Sequence, residues 1–130
     1  MEINELYQMA ADAQIDVDER RLPVNGSLSY MELDGACHIA IDTPRCRTQA
    51  EEKERLGHEL GHCTTGAFYN RYSPYDLRGR HERRATKWAA YKLVPLDKLI
   101  DAFENGLSGM WELSEYFGVS EDFMRKALEI

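Results

Sequence analysis

The sequence predicts an α+β fold in which a small antiparallel sheet packs on one central helix and a helical C-terminal part follows. Two turn-forming dipeptides, Asn25-Gly26 and Asp34-Gly35, separate short runs rich in β-forming residues. A long helical pattern begins near residue 48, and three shorter ones fill residues 96–130. At 130 residues and 43% hydrophobic content the chain can form its own core, so we predict a single domain over residues 1–130.

The N-terminal third predicts one helix and three strands. Apolar residues at helical spacing indicate an amphipathic helix over residues 3–13, with a stripe formed by Ile3, Leu6, Tyr7, Ala10 and Ala13. Residues 16–19 are interpreted as an acidic link. Strands are expected at about residues 22–24, 27–33 and 36–42, because these runs flank the two turn signals.

The most informative stretch is His58-Glu59-Leu60-Gly61-His62, inside the long helical pattern. This helix is predicted to begin after Thr48, since Thr48 and Glu51 have the spacing of a capping box, and to end at about Gly66. Residues four apart on an α-helix differ by about 40° around its axis, so the two imidazoles leave the same face one turn apart. They have the spacing of two ligands of one metal ion.

Glu59 lies about 100° around the helix from the first histidine. That position does not suit a third ligand, but it lets the carboxylate reach a water molecule at an open coordination position. Zinc lowers the pKa of such a water to about 7, and a nearby carboxylate can take its proton during attack on a peptide carbonyl. The motif therefore predicts metal-assisted amide hydrolysis, with His58 and His62 as ligands and Glu59 as the base. We expect an extended substrate to pair with the strand at 36–42 through main-chain hydrogen bonds, so that the substrate adds a strand to the sheet.

A second helix, expected over residues 80–94 and ended by a proline, offers candidates for the third ligand. Glu82, Ala85 and Ala89 share one face, so an acid stands at the head of a stripe of small residues. His81 is the alternative, but it faces about 100° away from Glu82. Glu82 is therefore predicted to complete a site of two histidines and one carboxylate.

The motif helix has small residues of its own. Gly57 and Gly61 lie beside the two histidines, and each costs about 1 kcal/mol relative to alanine inside a helix. Close approach of another backbone explains their presence, and the small-residue stripe of the second helix is the expected neighbour.

Residues 66–76 form a predicted surface loop that contains three tyrosines. The hydroxyl of Tyr69, Tyr72 or Tyr75 could stabilise the oxyanion of a tetrahedral intermediate, and the sequence does not choose among them. Packing is the alternative role for each. The three cysteines, Cys37, Cys46 and Cys63, are odd in number and widely spaced, which favours reduced thiols over a disulfide framework.

The charge distribution argues against a nucleic-acid binder. The net charge is −7 for residues 1–44, +5 for residues 45–92 and −5 for residues 93–130.

Helices are expected at 96–104, 108–117 and 121–129, and the turn before the last resembles that of a helix-turn-helix. Glu121 and Asp122 begin that last helix, at the position where a DNA-binding helix would contact phosphates. We therefore predict that the protein binds no nucleic acid and that this helix does not recognise DNA bases.

The sequence shows no apolar run long enough to span a membrane. The first residues, Met1-Glu2-Ile3-Asn4-Glu5, do not have the pattern of a signal peptide, in which basic residues precede an apolar stretch. We therefore expect a cytoplasmic protein without a membrane partner.

Three stretches together resemble the ImmA/IrrE family of metallopeptidases, over roughly residues 36–95. They are residues 58–62, residues 65–69 (Thr-Gly-Ala-Phe-Tyr), and residues 82–95, from Glu82 to Pro95. The family pattern continues after its histidine motif with Glu-x-x-Ala-x-x-Phe-Ala-x-x-Leu-hydrophobic-x-Pro. Here Trp88 stands in place of the usual phenylalanine, a change of bulk that does not touch the ligands.

The resemblance implies a zincin-like fold, with Glu82 as third zinc ligand beside His58 and His62, and Glu59 as base. It also implies a cytoplasmic endopeptidase that cuts a helix-turn-helix repressor, often one that governs a phage, a mobile element or a stress response. Two alternatives stay open: a non-catalytic metal-binding regulator that acts as an anti-repressor by docking onto a repressor, and an enzyme with another substrate. The presence of Glu59 and of all three candidate ligands favours an enzyme.

Overall fold

The computed structural model describes residues 1–23, 25–66, 68 and 75–129, apart from the side chains of residues 75 and 76. The secondary structure follows the order α1 (Ile3–Asp12), β1 (Asp16–Glu19), β2 (Ser27–Met31), β3 (Cys37–Ile41), a 3-10 turn (Thr43–Arg45), α2 (Gln49–Thr65), α3 (Tyr75–Leu93), α4 (Leu96–Glu104), α5 (Met110–Phe117) and α6 (Glu121–Leu128). The α+β class is confirmed, with a three-stranded sheet packed on α2.

The sheet is mixed, which corrects the prediction of an antiparallel sheet. Its order is β1-β3-β2, with β2 antiparallel and β1 parallel to the central strand β3. The turn at Asp34-Gly35 connects β2 to β3: Gly35 has a φ of 90° and the Asp34 carboxylate accepts a hydrogen bond from Ala36 N. This hairpin signal is confirmed.

Two other predictions in this region are wrong. Residues 16–19, interpreted as a link, form the edge strand β1, where only Val17 is partly buried; an acidic edge strand carries no clear hydrophobic pattern. Leu22 and Pro23 form no strand; Leu22 N instead donates to Asp42 Oδ2, and Val24 lies outside the described residues. Asn25-Gly26 therefore precedes β2 without forming a hairpin.

Helix α2 has the ends that its sequence predicts. Thr48 is the N-cap, and its Oγ1 accepts a hydrogen bond of 3.1 Å from Glu51 N. The Glu51 carboxylate accepts in turn from Arg47 N, one residue before the cap. At the other end, Gly66 adopts the left-handed conformation with a φ of 68°.

Helices α2 and α3 pack closely through the predicted small residues. A Cβ added to Gly61 would lie 2.6 Å from the Ala85 carbonyl oxygen, and one added to Gly57 would lie 3.5 Å from Ala89 Cβ. Gly61 is thus explained by the approach of the α3 backbone. A Cβ on Gly57, by contrast, would meet Ala89 at an ordinary contact distance and the flexible Leu93 side chain slightly closer, at 3.3 Å. Helix α3 begins at Tyr75, five residues before the predicted start.

The cysteine prediction is wrong for two of the three residues. Cys37 of β3 and Cys63 of α2 form a disulfide, with their Cα atoms 5.8 Å apart, whereas Cys46 is a free thiol. Cys63 lies about 100° around the helix from His62, and this direction faces the sheet. A separation of 26 residues in the chain does not show that contact, which arises from the packing of α2 on β3.

The core forms where α1, the sheet, α2 and the C-terminal helices meet. Its fully buried large side chains are Leu6, Ile39, Ile41, Leu56, Leu60, Leu93, Leu113 and Met124. The three C-terminal helices lie close to their predicted positions. Within the described ranges, no helix is both long and apolar enough to cross a lipid bilayer.

Candidate functional site

The structure brings His58, His62 and Glu82 together at the contact between α2 and α3. Nε2 of His58 lies 2.7 Å from Oε2 of Glu82, and Nε2 of His62 lies 3.2 Å from Oε1. The two imidazole rings are 4.8 Å apart and meet edge to face, at 82°. Each oxygen of one carboxylate thus faces one histidine nitrogen.

These donor atoms fit a small divalent metal ion. One nitrogen from each histidine and one oxygen from Glu82 all lie within 4.8 Å of one another. In a tetrahedral zinc site, bonds of about 2.0–2.2 Å place neighbouring ligand atoms roughly 3.3 Å apart. Two nitrogens and one carboxylate oxygen are also a common catalytic donor set for zinc. Among the residues that the structure describes, this is the group of three His, Cys, Asp or Glu side chains that could hold a metal ion.

Residues around the donors contact the rings of both histidines. Thr86, one turn after Glu82 on α3, places its Oγ1 3.3 Å from Nδ1 of His58. If Nε2 of His58 serves as the ligand, Nδ1 carries the hydrogen and donates to this hydroxyl. His62 is 5% exposed, and its ring lies 5.9 Å from that of Phe68. The site therefore has one open histidine and one that is nearly buried.

Glu59 is buried and held by the sheet. Its Oε2 accepts a hydrogen bond of 2.8 Å from the Ser27 hydroxyl, and its Oε1 accepts one of 2.7 Å from Ser29. The side chain is 7% exposed. Residues two apart on a strand point to the same face, so β2 presents both hydroxyls to α2. Sequence reasoning missed these two serines; their spacing on a β-strand was the available signal, but it did not show which helix the strand contacts.

A cleft of about 600 Å³ contains these groups. Strand β2, helix α2, helix α3 and helix α6 line it, through residues that include Ser27, Leu28, Ser29, Arg55, His58, Glu59, His62, Glu82, Thr86, Phe123 and Lys126. The candidate ligands and Glu59 thus share one open cavity. The volume is in the range of ordinary ligand sites.

The strand expected to hold a substrate is not available for that role. β3, which occupies most of residues 36–42, is the central strand and pairs on both sides. A central strand has no free edge for an added peptide, so this prediction is wrong. β2 is the edge strand on the cleft side. The pattern of the sequence did not show the strand order.

His81 lies next to Glu82 on α3 but does not belong to the three-residue metal group. Tyr69 and Tyr72, proposed for the oxyanion, lie outside the described residues, and so does the side chain of Tyr75. The turn before α6 serves the fold: the Ser120 backbone N–H and hydroxyl both donate to Oε1 of Glu54 on α2, at 3.1 and 2.5 Å.

Comparison with known proteins agrees with this geometry. The model of a peptidase family, described as the IrrE N-terminal-like domain, matches residues 41–129. The matched range contains α2 through α6, and with them all three donor residues and Glu59. No curated protein and no solved structure matches the chain.

Proposed function

Because the chain belongs to the IrrE N-terminal-like family of peptidase domains, we propose that it is a zinc-dependent endopeptidase. In this proposal His58, His62 and Glu82 are the metal ligands and Glu59 is the catalytic base. One observation carries it: the three donor atoms meet in the same cleft into which a buried, hydrogen-bonded glutamate is fixed.

The chemistry divides between the metal and the residues of the chain. A zinc ion held by the three donors would activate a water molecule and polarise the peptide carbonyl. Glu59 takes a proton at one carboxylate oxygen and returns it to the leaving amine. Each carboxylate oxygen has a second lone pair, so the hydrogen bonds from Ser27 and Ser29 orient Glu59 and still leave it able to accept a proton.

The edge strand β2 is the proposed support for the substrate. Leu28 lines the cleft and is 39% exposed, and the outer edge of β2 has no paired strand among the described residues. An extended peptide can hydrogen-bond to such an edge through its main chain. Because the serines of β2 also hold Glu59, this strand would place the peptide next to the base.

The proposed substrate is a helix-turn-helix repressor, the class that the family resemblance implies. Supporting this, the segments before and after the motif region carry net charges of −7 and −5, which favour a basic partner. An extended bound segment must come from a loop, a linker or a locally unfolded helix of the substrate. We therefore propose site-limited cleavage and not general digestion.

The test combines the purified protein and zinc with two proteins: a repressor encoded by the neighbouring gene, and casein as an unfolded reference. Fragments are followed by mass spectrometry, with a metal chelator as control. One or two zinc-dependent cuts confined to the repressor are expected. Rapid degradation of casein would indicate a broad peptidase, and an intact repressor bound stoichiometrically would indicate a non-catalytic regulator.

A further inference from the structure

Arg55 lines the cleft and forms no ion pair with the residues that the structure describes. It is half-buried on α2, one turn before Glu59, and it faces the same cavity as the candidate ligands. No carboxylate among the described residues forms an ion pair or hydrogen bond with its guanidinium. By contrast, Arg20, Arg47 and Arg125 each pair with a neighbouring acid. A partly buried guanidinium without a partner has lost some hydration that a ligand could replace.

Gly26 makes room for this guanidinium at the start of β2. A Cβ added to Gly26 would lie 2.6 Å from Arg55 Cζ and 2.8 Å from its Nε and Nη1. Gly26 is not among the glycines with positive φ, so its backbone conformation does not require glycine. The absence of a side chain here lets the guanidinium lie directly beside the strand that we propose supports the substrate.

The cleft carries acids as well as bases: Glu54, Glu59 and Glu82 line it beside Arg55 and Lys126, but Glu59 accepts hydrogen bonds from two serines and Glu82 faces the two histidines. Lys126 of α6 is exposed, lines the same cavity and has no ion pair with a described residue. Glu54 also lines the cavity, but its Oε1 is bound to Ser120, and burial raises the pKa of its carboxyl group. Arg55 is half-buried and has no ion pair with a described residue, so its guanidinium is available to an anionic ligand in the cleft, with the exposed Lys126 nearby.

We propose that Arg55 forms a subsite that binds a carboxylate of the peptide substrate, with Lys126 adding positive charge to the same cleft. The inference rests on the proposed function, because it takes the cleft to be a peptide-binding site. A planar guanidinium can donate two parallel hydrogen bonds to a carboxylate, which provides geometry as well as charge. The ligand chemistry is therefore a carboxylate, from an aspartate or glutamate side chain or from the end of a chain.

The position of Arg55 also predicts where the carboxylate lies relative to the cut. Arg55 and Glu59 are four residues apart on one helix face, a rise of ~6 Å. An extended peptide covers that distance in roughly two residues. The carboxylate should therefore lie roughly two residues from the bond that is cleaved.

The experiment measures peptide binding separately from cleavage. The background is the Glu59→Gln protein with zinc added, in which peptides are expected to stay intact. Fluorescence anisotropy compares three labelled peptides of one neutral host sequence: one with a central glutamate and blocked ends, one with glutamine in that place, and one that stops there with a free carboxylate. We expect at least one carboxylate peptide to bind about 10-fold more tightly than the glutamine peptide at low salt, and less so as salt rises.

Variants then assign the preference to Arg55. In Arg55→Gln the affinities for the carboxylate and glutamine peptides should differ by no more than about 2-fold. Arg55→Lys should retain part of the preference, since the positive charge remains but the planar pair of donors is lost. Arg47→Gln is the matched control; Arg47 lies just before the same helix, its side chain is 87% exposed, and it does not line the cleft. The control should keep the full preference. The glutamate and free-end peptides distinguish a side-chain carboxylate from a chain terminus.

The subsite is rejected if all three peptides bind with equal affinity. It is also rejected if none of them binds. A preference that survives Arg55→Gln would also overturn it. Cleavage by the wild-type protein separates this inference from the proposed function. Zinc-dependent cleavage without an acid preference rejects the subsite alone, and a clear preference in binding without any cleavage rejects the peptidase but leaves a carboxylate-binding cleft.

Discussion

The Ser29 hydroxyl donates a hydrogen bond of 2.7 Å to Oε1 of Glu59, which joins the edge strand of the sheet to the proposed base on the motif helix. Ser27 makes the equivalent bond to Oε2. A carboxylate fixed at both oxygens has little freedom to rotate, so the sheet sets the direction in which the base points. Strand β2 therefore orients Glu59, in addition to its proposed role in binding a peptide.

The first prediction concerns these serines. Ser29→Ala should lower kcat by about 10- to 100-fold, because small errors in the position of a catalytic group have effects of this size. Zinc content should not change, since Ser29 does not contact the ligands. Ser29→Thr keeps the hydroxyl and should recover most of the activity. The measurement is steady-state cleavage together with elemental analysis; full activity of the alanine variant would show that the hydrogen bond does not orient the base.

The second prediction concerns Thr86 and the orientation of His58. Thr86→Val removes the hydroxyl near Nδ1 and should weaken zinc binding by about 10- to 100-fold, the usual effect of losing a partner of a ligating histidine. Thr86→Ser should bind zinc as the wild type does. Competition with a chromogenic chelator gives the dissociation constants. Equal affinities for all three proteins would exclude this role.

The third prediction concerns the contact between α2 and α3. Helix propensity alone predicts that Gly61→Ala stabilises the protein by about 1 kcal/mol. The new Cβ would instead meet Ala85 backbone atoms at 2.6–3.1 Å, and we expect a loss of about 1–3 kcal/mol in the free energy of unfolding. Gly79→Ala in α3 is the control, because its Cβ would meet only the flexible end of Arg83. Urea unfolding should show a loss for the first variant and none for the second.

The fourth prediction concerns the third ligand. Glu82→Ala should lose zinc, with a dissociation constant raised by more than about 100-fold, since even partners that only support a ligand cost 10- to 100-fold. Glu104→Ala, an exposed acid on α4, is the control and should bind zinc normally. Elemental analysis after gel filtration measures the occupancy. Full zinc occupancy in the Glu82 variant would show that Glu82 is not a ligand, and His81 or an external group would then be the candidate for the third ligand.

Local spacing was enough to anticipate several features. The period of 3.6 residues fixes which side chains share a helix face, so the placement of His58 and His62, and the small-residue stripe that begins at Glu82, followed from the sequence. The capping residue Thr48 and the terminal Gly66 are likewise local signals, and the structure has both.

The contact between α2 and α3 was predicted, but the features that depend on how the sheet packs on α2 were not. The Cys37–Cys63 disulfide, the serine bonds to Glu59 and the position of Arg55 beside Gly26 all require the sheet to be docked on α2 in one particular way. Strand β1 was missed because its charged residues are exposed at an edge. Strand order, which decides whether β2 or β3 can receive a peptide, is a property of the whole sheet and not of either strand.

We propose that this site hydrolyses peptide bonds with zinc held by His58, His62 and Glu82 and with Glu59 as base. Glu59→Gln is the decisive variant, because the amide keeps the size of the side chain, accepts a hydrogen bond from one serine and can donate one to the hydroxyl of the other. Zinc content and zinc-dependent cleavage are measured on the same preparation, beside the wild type. We expect unchanged zinc content with cleavage reduced by about 10²-fold or more. Undiminished cleavage by this variant would contradict the account.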